Sequence, residues 1–366
     1  MRLALTLIFI TCHFTGFAQL GQNLKEEIQK IIYHDTDISF DRTPGYVIGV
    51  IIGDSSYVFG YGSVSKDSVQ LPDEHTIFEL GSLTKVFTAA IIQRLVEQGK
   101  MQYDTSFNQY LPETWSHPST NQLSLLNLVS HTSGLPKMPL EFGIKEKESH
   151  NPYAYYTKAD LQDFYHDYFF QAKEKNVYRY GHLNYALLEI AIEQVCQKKF
   201  ASVLQEELLA PLQLNNTCLQ LRPEQQTHLA TGYAVTGKAT KPWRFQSFAA
   251  AQGLKSNAHD LLQFLRVNLN QAAPDFSKSL AQTHQFVAET NMTKNVTVAK
   301  GWHILKNRKY YDTIAHSGTT SGHRVFLGFI QETKTGVVVL SNSPHTMNGL
   351  GHLIIRLINQ NWKKKK

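Results

Sequence analysis

Ser82 and Lys85 stand three residues apart in Glu79-Leu80-Gly81-Ser82-Leu83-Thr84-Lys85-Val86-Phe87. On a helix, positions i and i+3 share a face, so the hydroxyl and the amine can meet. A serine hydroxyl is a poor nucleophile at neutral pH, and a neighbouring amine that has lost its proton activates it. Residues Val86 to Val96 are apolar on nearly all sides, as expected of a helix held between two layers. Burial there would lower the pKa of Lys85 and favour the neutral amine that such a base requires. Ser-x-x-Lys also arises by chance. Taken alone, the pair reads as well as a helix start, with Ser82 near the N-cap and Lys85 on a solvated face.

Two further stretches carry chemistry. Val177-Tyr178-Arg179-Tyr180-Gly181-His182-Leu183-Asn184-Tyr185 leads into an apolar helical pattern, and His316-Ser317-Gly318-Thr319-Thr320-Ser321-Gly322-His323 follows a strand-like run. Each has an ordinary reading, an aromatic residue capping a helix and a strand end with its turn. In this order with Ser82 and Lys85, they resemble the motifs of the serine β-lactamase-related hydrolases. That family includes class C β-lactamases, D-Ala-D-Ala carboxypeptidases and family VIII esterases. The resemblance runs from about Tyr46 to Asn342.

The resemblance implies an acyl-enzyme mechanism. Ser82 is the nucleophile, and Lys85 and Tyr180 move protons, with Tyr180 acting as a phenolate whose pKa is depressed by cations such as Lys85. The Ser82 and Thr319 backbone N–H groups form the oxyanion hole, aided by a helix N-terminus. Gly181 and His182 stand where the family has Ser and Asn, and His182 can donate or accept through either ring nitrogen. His316 stands for the lysine that draws a substrate carboxylate in many members, so that attraction should be weaker here. Ser317 replaces a threonine, Gly318 would let substrate lie against the strand edge, and Arg324 is a spare cation nearby. Thus His182, His316, Ser317, Gly318 and Arg324 are the expected substrate contacts. The implied substrate is a small molecule or peptide: a short-chain ester or a D-amino-acid peptide, the two ranking equally. β-Lactamase activity and a non-catalytic penicillin-binding or sensor module are the alternatives. No cofactor is implied.

The elements that must position these residues follow from the patterning. Leu24 to Tyr33 reads as a short amphipathic helix. Tyr46–Ile52 and Ser56–Gly62, separated by Gly53-Asp54-Ser55, read as a β-hairpin, and Ile77–Leu80 as a short strand feeding Ser82. Roughly 101–256 is mostly helical, with a helix over Leu123 to Pro136 whose His131 holds the closing turn. Ala210 to Thr217 and Gly253 to Leu262 resemble further family landmarks, and Asp260 suits a first helical turn. Tyr153, Tyr155, Tyr156, Tyr165 and Tyr168 either line a pocket or pack against helices. Strands return at Gly301–Leu305, Asp312–His316, Arg324–Ile330 and Gly336–Leu340, and a last helix covers about Met347 to Asn361. Strands at both ends around a helical middle imply an α+β fold, one antiparallel sheet completed by both termini and flanked by helices.

Composition narrows the function classes. The chain has 366 residues, 42% of them hydrophobic, enough for a large core. Arg2 followed by an apolar run, with Gly16-Phe17-Ala18 as a cleavage site, reads as a signal peptide over 1–18 and an exported protein. Residues 19–362 then form one hydrolase domain, with a lysine tail at 363–366. No later stretch is apolar enough to span a membrane. The formal charge of +6 comes from 36 Lys and Arg against 30 Asp and Glu, and five of those cations are Arg2 and Lys363 to Lys366. The body is nearly neutral, so a nucleic-acid partner is not expected. Cys196 and Cys218 remain after signal removal and read by default as two buried thiols, although export permits a disulfide. The histidines lack metal-ligand spacing, so no metal is expected.

Overall fold

The computed structural model describes residues 21–360 other than 37, 39–40, 116, 144–150, 152, 172–174 and 346–347. The expected signal peptide and lysine tail lie outside the described residues.

Helix α1 covers residues 21–35, and β1 (Gly45–Ile52) and β2 (Ser55–Gly62) form the expected hairpin. Gly53 takes φ 57° in the tight turn between them, a left-handed conformation that glycine adopts without steric cost. β3 (Phe78–Glu79) leads into a 3₁₀ turn at Gly81–Leu83 and then α2 (Thr84–Glu97). The middle carries α3 (Leu125–Val129), α4 (Lys158–Asp167), α5 (His182–Cys196), α6 (Phe200–Leu204), α7 (Pro223–Gln226) and α8 (Ala249–Gln252). β4 (Lys255–Ser256), α9 (Ala258–Asn268) and α10 (Pro274–Ala281) follow. The chain then runs β5 (Ala288–Glu289), β6 (Val296–Val298), β7 (His303–Leu305), β8 (Thr313–Thr319), β9 (Arg324–Ile330), β10 (Thr335–Ser341) and α11 (Asn348–Ile358).

The main sheet has eight strands in the order β2-β1-β10-β9-β8-β7-β6-β5, every adjacent pair antiparallel. The N-terminal hairpin joins the C-terminal strands through β1 and β10, with Val47 opposite Leu340. The α+β arrangement built from both chain ends is therefore present. Side chains alternate across the sheet, as the period of a strand requires. Val47, Ile51, Val338 and Leu340 face a large core with α2, α5 and α9, while Ile48, Val50, Val337 and Val339 face a smaller one under α1 and α11.

Several expectations shift. β3 does not join the main sheet; it pairs with β4 as a separate two-stranded unit, Glu79 opposite Lys255. The helix expected over Leu123 to Pro136 is only the five residues of α3, because His131 turns left-handed at φ 60° and ends it. β8 does not stop at His316 but continues through Thr319, which pairs with Arg324. β5 and β6 appear where no strand was expected. Tyr153, Tyr156 and Tyr165 are all buried in the core. Cys196 and Cys218 are free thiols, each half-buried rather than fully buried.

Candidate active site

Two backbone segments meet where Ser82 sits. Gly81 takes φ +50°, and a Cβ there would lie 2.6 Å from the Thr319 carbonyl oxygen and 2.8 Å from its nitrogen. A Cβ at Gly318 would lie 1.8 Å from the Leu80 oxygen and 2.8 Å from the Leu83 nitrogen. The end of β8 thus crosses the 3₁₀ turn at backbone contact, which only glycines permit. Gly318 was expected to make room for substrate; its close neighbours are instead the nucleophile's own backbone. Ser82 and Thr319 are brought together by this crossing.

Lys85 begins the buried face of α2 and is itself 0% exposed. Its Nζ lies 3.3 Å from Ser82 Oγ, 3.0 Å from the Ala251 carbonyl and 3.2 Å from His182 Nδ1. Burial pushes its pKa well below the ordinary lysine value, and the charge of Lys137 adds to that. The amine is thereby biased toward its neutral form, as expected from the apolar pattern of α2. With three partners, its lone pair has one open direction at a time. If His182 Nδ1 accepts, the amine can donate to Ala251 and His182 and turn its lone pair to Ser82. If Nδ1 carries the proton, the lone pair is occupied instead.

Tyr180 precedes α5, and its side chain lies beside that of Ser82. Its pKa moves opposite to the expectation. Burial raises it above the ordinary phenol value, and the neighbouring Ser82 hydroxyl offsets this only in part. Tyr180 is therefore a neutral phenol, a proton donor rather than a resident phenolate. Lys85 Nζ lies 5.2 Å from its ring centre. His131 packs against that ring at 4.4 Å and accepts from Gly181 N–H and Asn184 Nδ2, both at 3.3 Å. It therefore holds the Tyr180 segment as well as the turn.

His316, Ser317 and Gly318 lie on β8, with the His316 ring 6.1 Å from that of Tyr180. His316 Nδ1 donates to the Ser317 carbonyl at 2.7 Å, which leaves Nε2 a bare acceptor without a partner among the described residues. Burial, then His303 and Lys85, keep its pKa well below the ordinary histidine value, so it is neutral. Burial and the Lys85 and Lys137 charges do the same to His182, whose ring faces the Lys85 amine. Arg324 is not a spare cation: it starts β9 half-buried, with Nη1 3.5 Å from the Pro344 carbonyl.

Several neighbours carried no sequence signal. Gln252 on α8 accepts from Ser82 Oγ at 3.2 Å and donates through Nε2 to the Tyr153 hydroxyl. α8 shadows α2 along its length. The Ala250 carbonyl accepts from Thr88 at 2.7 Å, the Ala251 carbonyl from Lys85, and the Ala250 amide donates to buried Glu189 at 2.9 Å. His303 hydrogen-bonds the Tyr178 hydroxyl at 2.7 Å and stands 5.4 Å from His316. Its pKa is lowered to about 4 by burial. Behind the nucleophile, Glu79 accepts from the Trp243 amide at 2.6 Å and Thr320 Oγ1 at 2.9 Å, and lies 3.2 Å from His323 Nδ1. Burial pushes its pKa up, but the His323 bond and charge, Lys255 and the Trp243 amide together bring it below the ordinary value. This buried contact ties β3 to the turn after β8. No group of three or more His, Cys, Asp or Glu that could hold a metal occurs among the described residues.

Comparison with known proteins fits this geometry. The profile of the Beta-lactamase family matches residues 35–358. A β-lactamase of Providencia stuartii is 26% identical over 379 residues, covering 93% of this chain and 91% of its own. Protein flp of Staphylococcus aureus strain N315 is 26% identical over 354 residues, covering 93% of this chain and 68% of its own. Among solved structures, a class C β-lactamase superposes with a TM-score of 0.79 at 20% identity, covering 94% of this chain and 98% of its own. A β-lactamase/D-alanine carboxypeptidase from Pseudomonas syringae gives 0.77 at 20% identity, covering 93% and 99%. At that identity the superpositions speak for the fold; with the profile spanning nearly all of the chain, this protein belongs to the β-lactamase family of serine hydrolases.

Proposed function

We propose that the chain is an exported hydrolase that forms an acyl-enzyme on Ser82 and releases it to water, acting on a short-chain ester or a D-amino-acid peptide. The observation that carries the reading is the buried Lys85 amine 3.3 Å from Ser82 Oγ, with burial favouring its neutral form. Export rests on the apolar N-terminal run that follows Arg2.

In the acylation step Ser82 Oγ attacks the substrate carbonyl carbon and its proton passes to Lys85, which becomes an ammonium. The carbonyl oxygen takes the negative charge between the Ser82 and Thr319 N–H groups, where preorganised donors are worth about 3–4 kcal/mol each. As the tetrahedral intermediate collapses, the Tyr180 phenol gives its proton to the departing oxygen or nitrogen. The Lys85 ammonium then restores the Tyr180 proton, which returns the site to a neutral amine and a neutral phenol. Water repeats the cycle on the acyl-serine. A neutral phenol suits the donor role and removes the need for a resident phenolate.

The uncharged His316 favours substrates without a carboxylate on its side of the nucleophile, which places esters and neutral amides ahead of β-lactams. Mass spectrometry of protein quenched shortly after mixing with p-nitrophenyl butyrate, with benzylpenicillin in a parallel run, tests the reading. An acyl adduct on Ser82 with released nitrophenol, both lost in Ser82→Ala by at least about 10³-fold in rate, is the expected result. Full hydrolysis by Ser82→Ala would sink it. Rapid turnover of benzylpenicillin by the wild type would instead select a β-lactamase, and a lasting penicillin adduct without product would select a sensor.

A further inference from the structure

The basic side chains singled out in the sequence supply no free positive charge to the cleft. His316 is neutral with its Nδ1–H spent on Ser317, Arg324 is directed to the Pro344 carbonyl, and Lys85 is buried among three partners. Lys137 sits differently. It follows the Gly134-Leu135-Pro136 turn and is exposed, with no ion pair to any described residue. Its backbone is fixed against the start of α5: the Lys137 carbonyl accepts from the His182 N–H at 2.9 Å and from the Leu183 N–H at 3.2 Å. A Cβ on Gly181 would lie 3.4 Å from the Lys137 Cα, so the two segments are in contact. The ammonium is near enough for its charge to lower the pKa of both Lys85 and His182. It is thus anchored beside the catalytic groups by its backbone while its side chain stays in solvent.

From this placement we infer that Lys137 is a specificity-determining residue, the cation that receives an anionic group on the acyl portion of the substrate. The inference rests on the hydrolase reading and adds a substrate class to it: acyl chains ending in a carboxylate or a similar anion. The sides of the cleft differ accordingly. The leaving group departs beside Tyr180 and the neutral His316, whereas the acyl chain runs past His182 toward Lys137. An ion pair at such an exposed mouth is worth a fraction of a kcal/mol to about 1 kcal/mol, and salt weakens it. The effect belongs to substrate capture and should appear as selectivity rather than as loss of chemistry.

The test uses two alkyl fluorophosphonates of equal length, one ending in a carboxylate and one in its methyl ester, because both label a nucleophilic serine with fluoride as leaving group. The readout is the ratio of their second-order labelling rates within each variant, followed by mass spectrometry. The wild type should label roughly three- to fivefold faster with the carboxylate probe at low salt, and the ratio should shrink in about 1 M NaCl. Lys137→Met should bring the ratio to about one, and Lys137→Arg should keep it. A wild-type ratio near one, or an unchanged ratio in Lys137→Met, overturns the role of Lys137 and leaves the hydrolase reading standing. Failure of both probes to label Ser82 overturns the hydrolase reading, and this inference with it.

Discussion

The two walls of the site are built on opposite terms. Along the nucleophile wall, the Ser82 turn, α2 and α5 meet α8 in specific bonds: Ser82 to Gln252, Lys85 to Ala251, Thr88 to Ala250, and Glu189 to Ala250. The facing wall is made of rings. Tyr180 packs at tilted or edge-on angles among His131, His182, His303 and His316, and two ring nitrogens there, His131 Nε2 and His316 Nε2, have no partner among the described residues. Bonds that end on the backbone and one side chain of α8 hold one geometry whatever substrate arrives. A wall of neutral imidazoles stays uncharged, while one nitrogen of each ring is held by a hydrogen bond. The first supplies reactivity, and the second shapes what may approach.

The largest effect belongs to the nucleophile wall, at Lys85. Lys85→Met keeps the stem and removes the amine, and ester hydrolysis followed by nitrophenol release should fall by about 10³-fold or more. An unchanged rate would move the base to the ring wall. Next, Tyr180→Phe removes a proton donor without emptying the ring layer. The rate should drop by about 10²-fold for substrates with poor leaving groups, and by much less for p-nitrophenyl esters, whose leaving group departs without help. Equal losses for both would assign Tyr180 to packing alone.

The smallest effect sharpens the ring wall itself and concerns stability. Burial lowers the pKa of His131, His182 and His316, as well as that of His303. The unfolded chain therefore binds protons below about pH 6.5 that the folded chain refuses, so stability rises with pH and is lost as pH falls from about 6.5 toward 4. For one fully buried imidazole the loss between pH 7 and pH 5 is on the order of 2 kcal/mol. Melting followed by circular dichroism should show a midpoint several degrees lower at about pH 5 than at about pH 7.5. His131→Gln should flatten that dependence; an unaltered slope would mean that other groups cause it.

Much of this is legible in the chain itself, for identifiable reasons. Ser82 and Lys85 can be paired because i,i+3 spacing survives any packing, and the apolar run after Lys85 announces the burial that lowers its pKa. The hairpin and the strands β9 and β10 are visible as alternating or β-branched runs bounded by turn residues. The direction of the Tyr180 pKa is not legible, because its sign depends on how deep the ring lies, and spacing carries no depth. Arg324 looks available because no pattern shows that its guanidinium turns to Pro344. Gln252 and Glu189 are invisible, since an alanine-rich turn and one acid on an apolar helix point to no partner 170 or 61 residues away. β5 and β6 are two and three residues long, too short for any periodicity to register.

The crossing of Gly318 over Leu80 and Leu83 also sets a timetable. The nucleophile turn is made early in synthesis, yet the backbone that completes it comes from β8, far down the chain, and β1 must wait still longer for β10. Until those last strands have emerged, neither the β1–β10 pairing nor the contact of Gly318 with the Ser82 turn exists. A chain cut short before β8 would carry Ser82 and Lys85 without the backbone that crosses them. On the proposed mechanism, reactivity therefore arrives only once β8 has joined, and a nascent chain is inert until then.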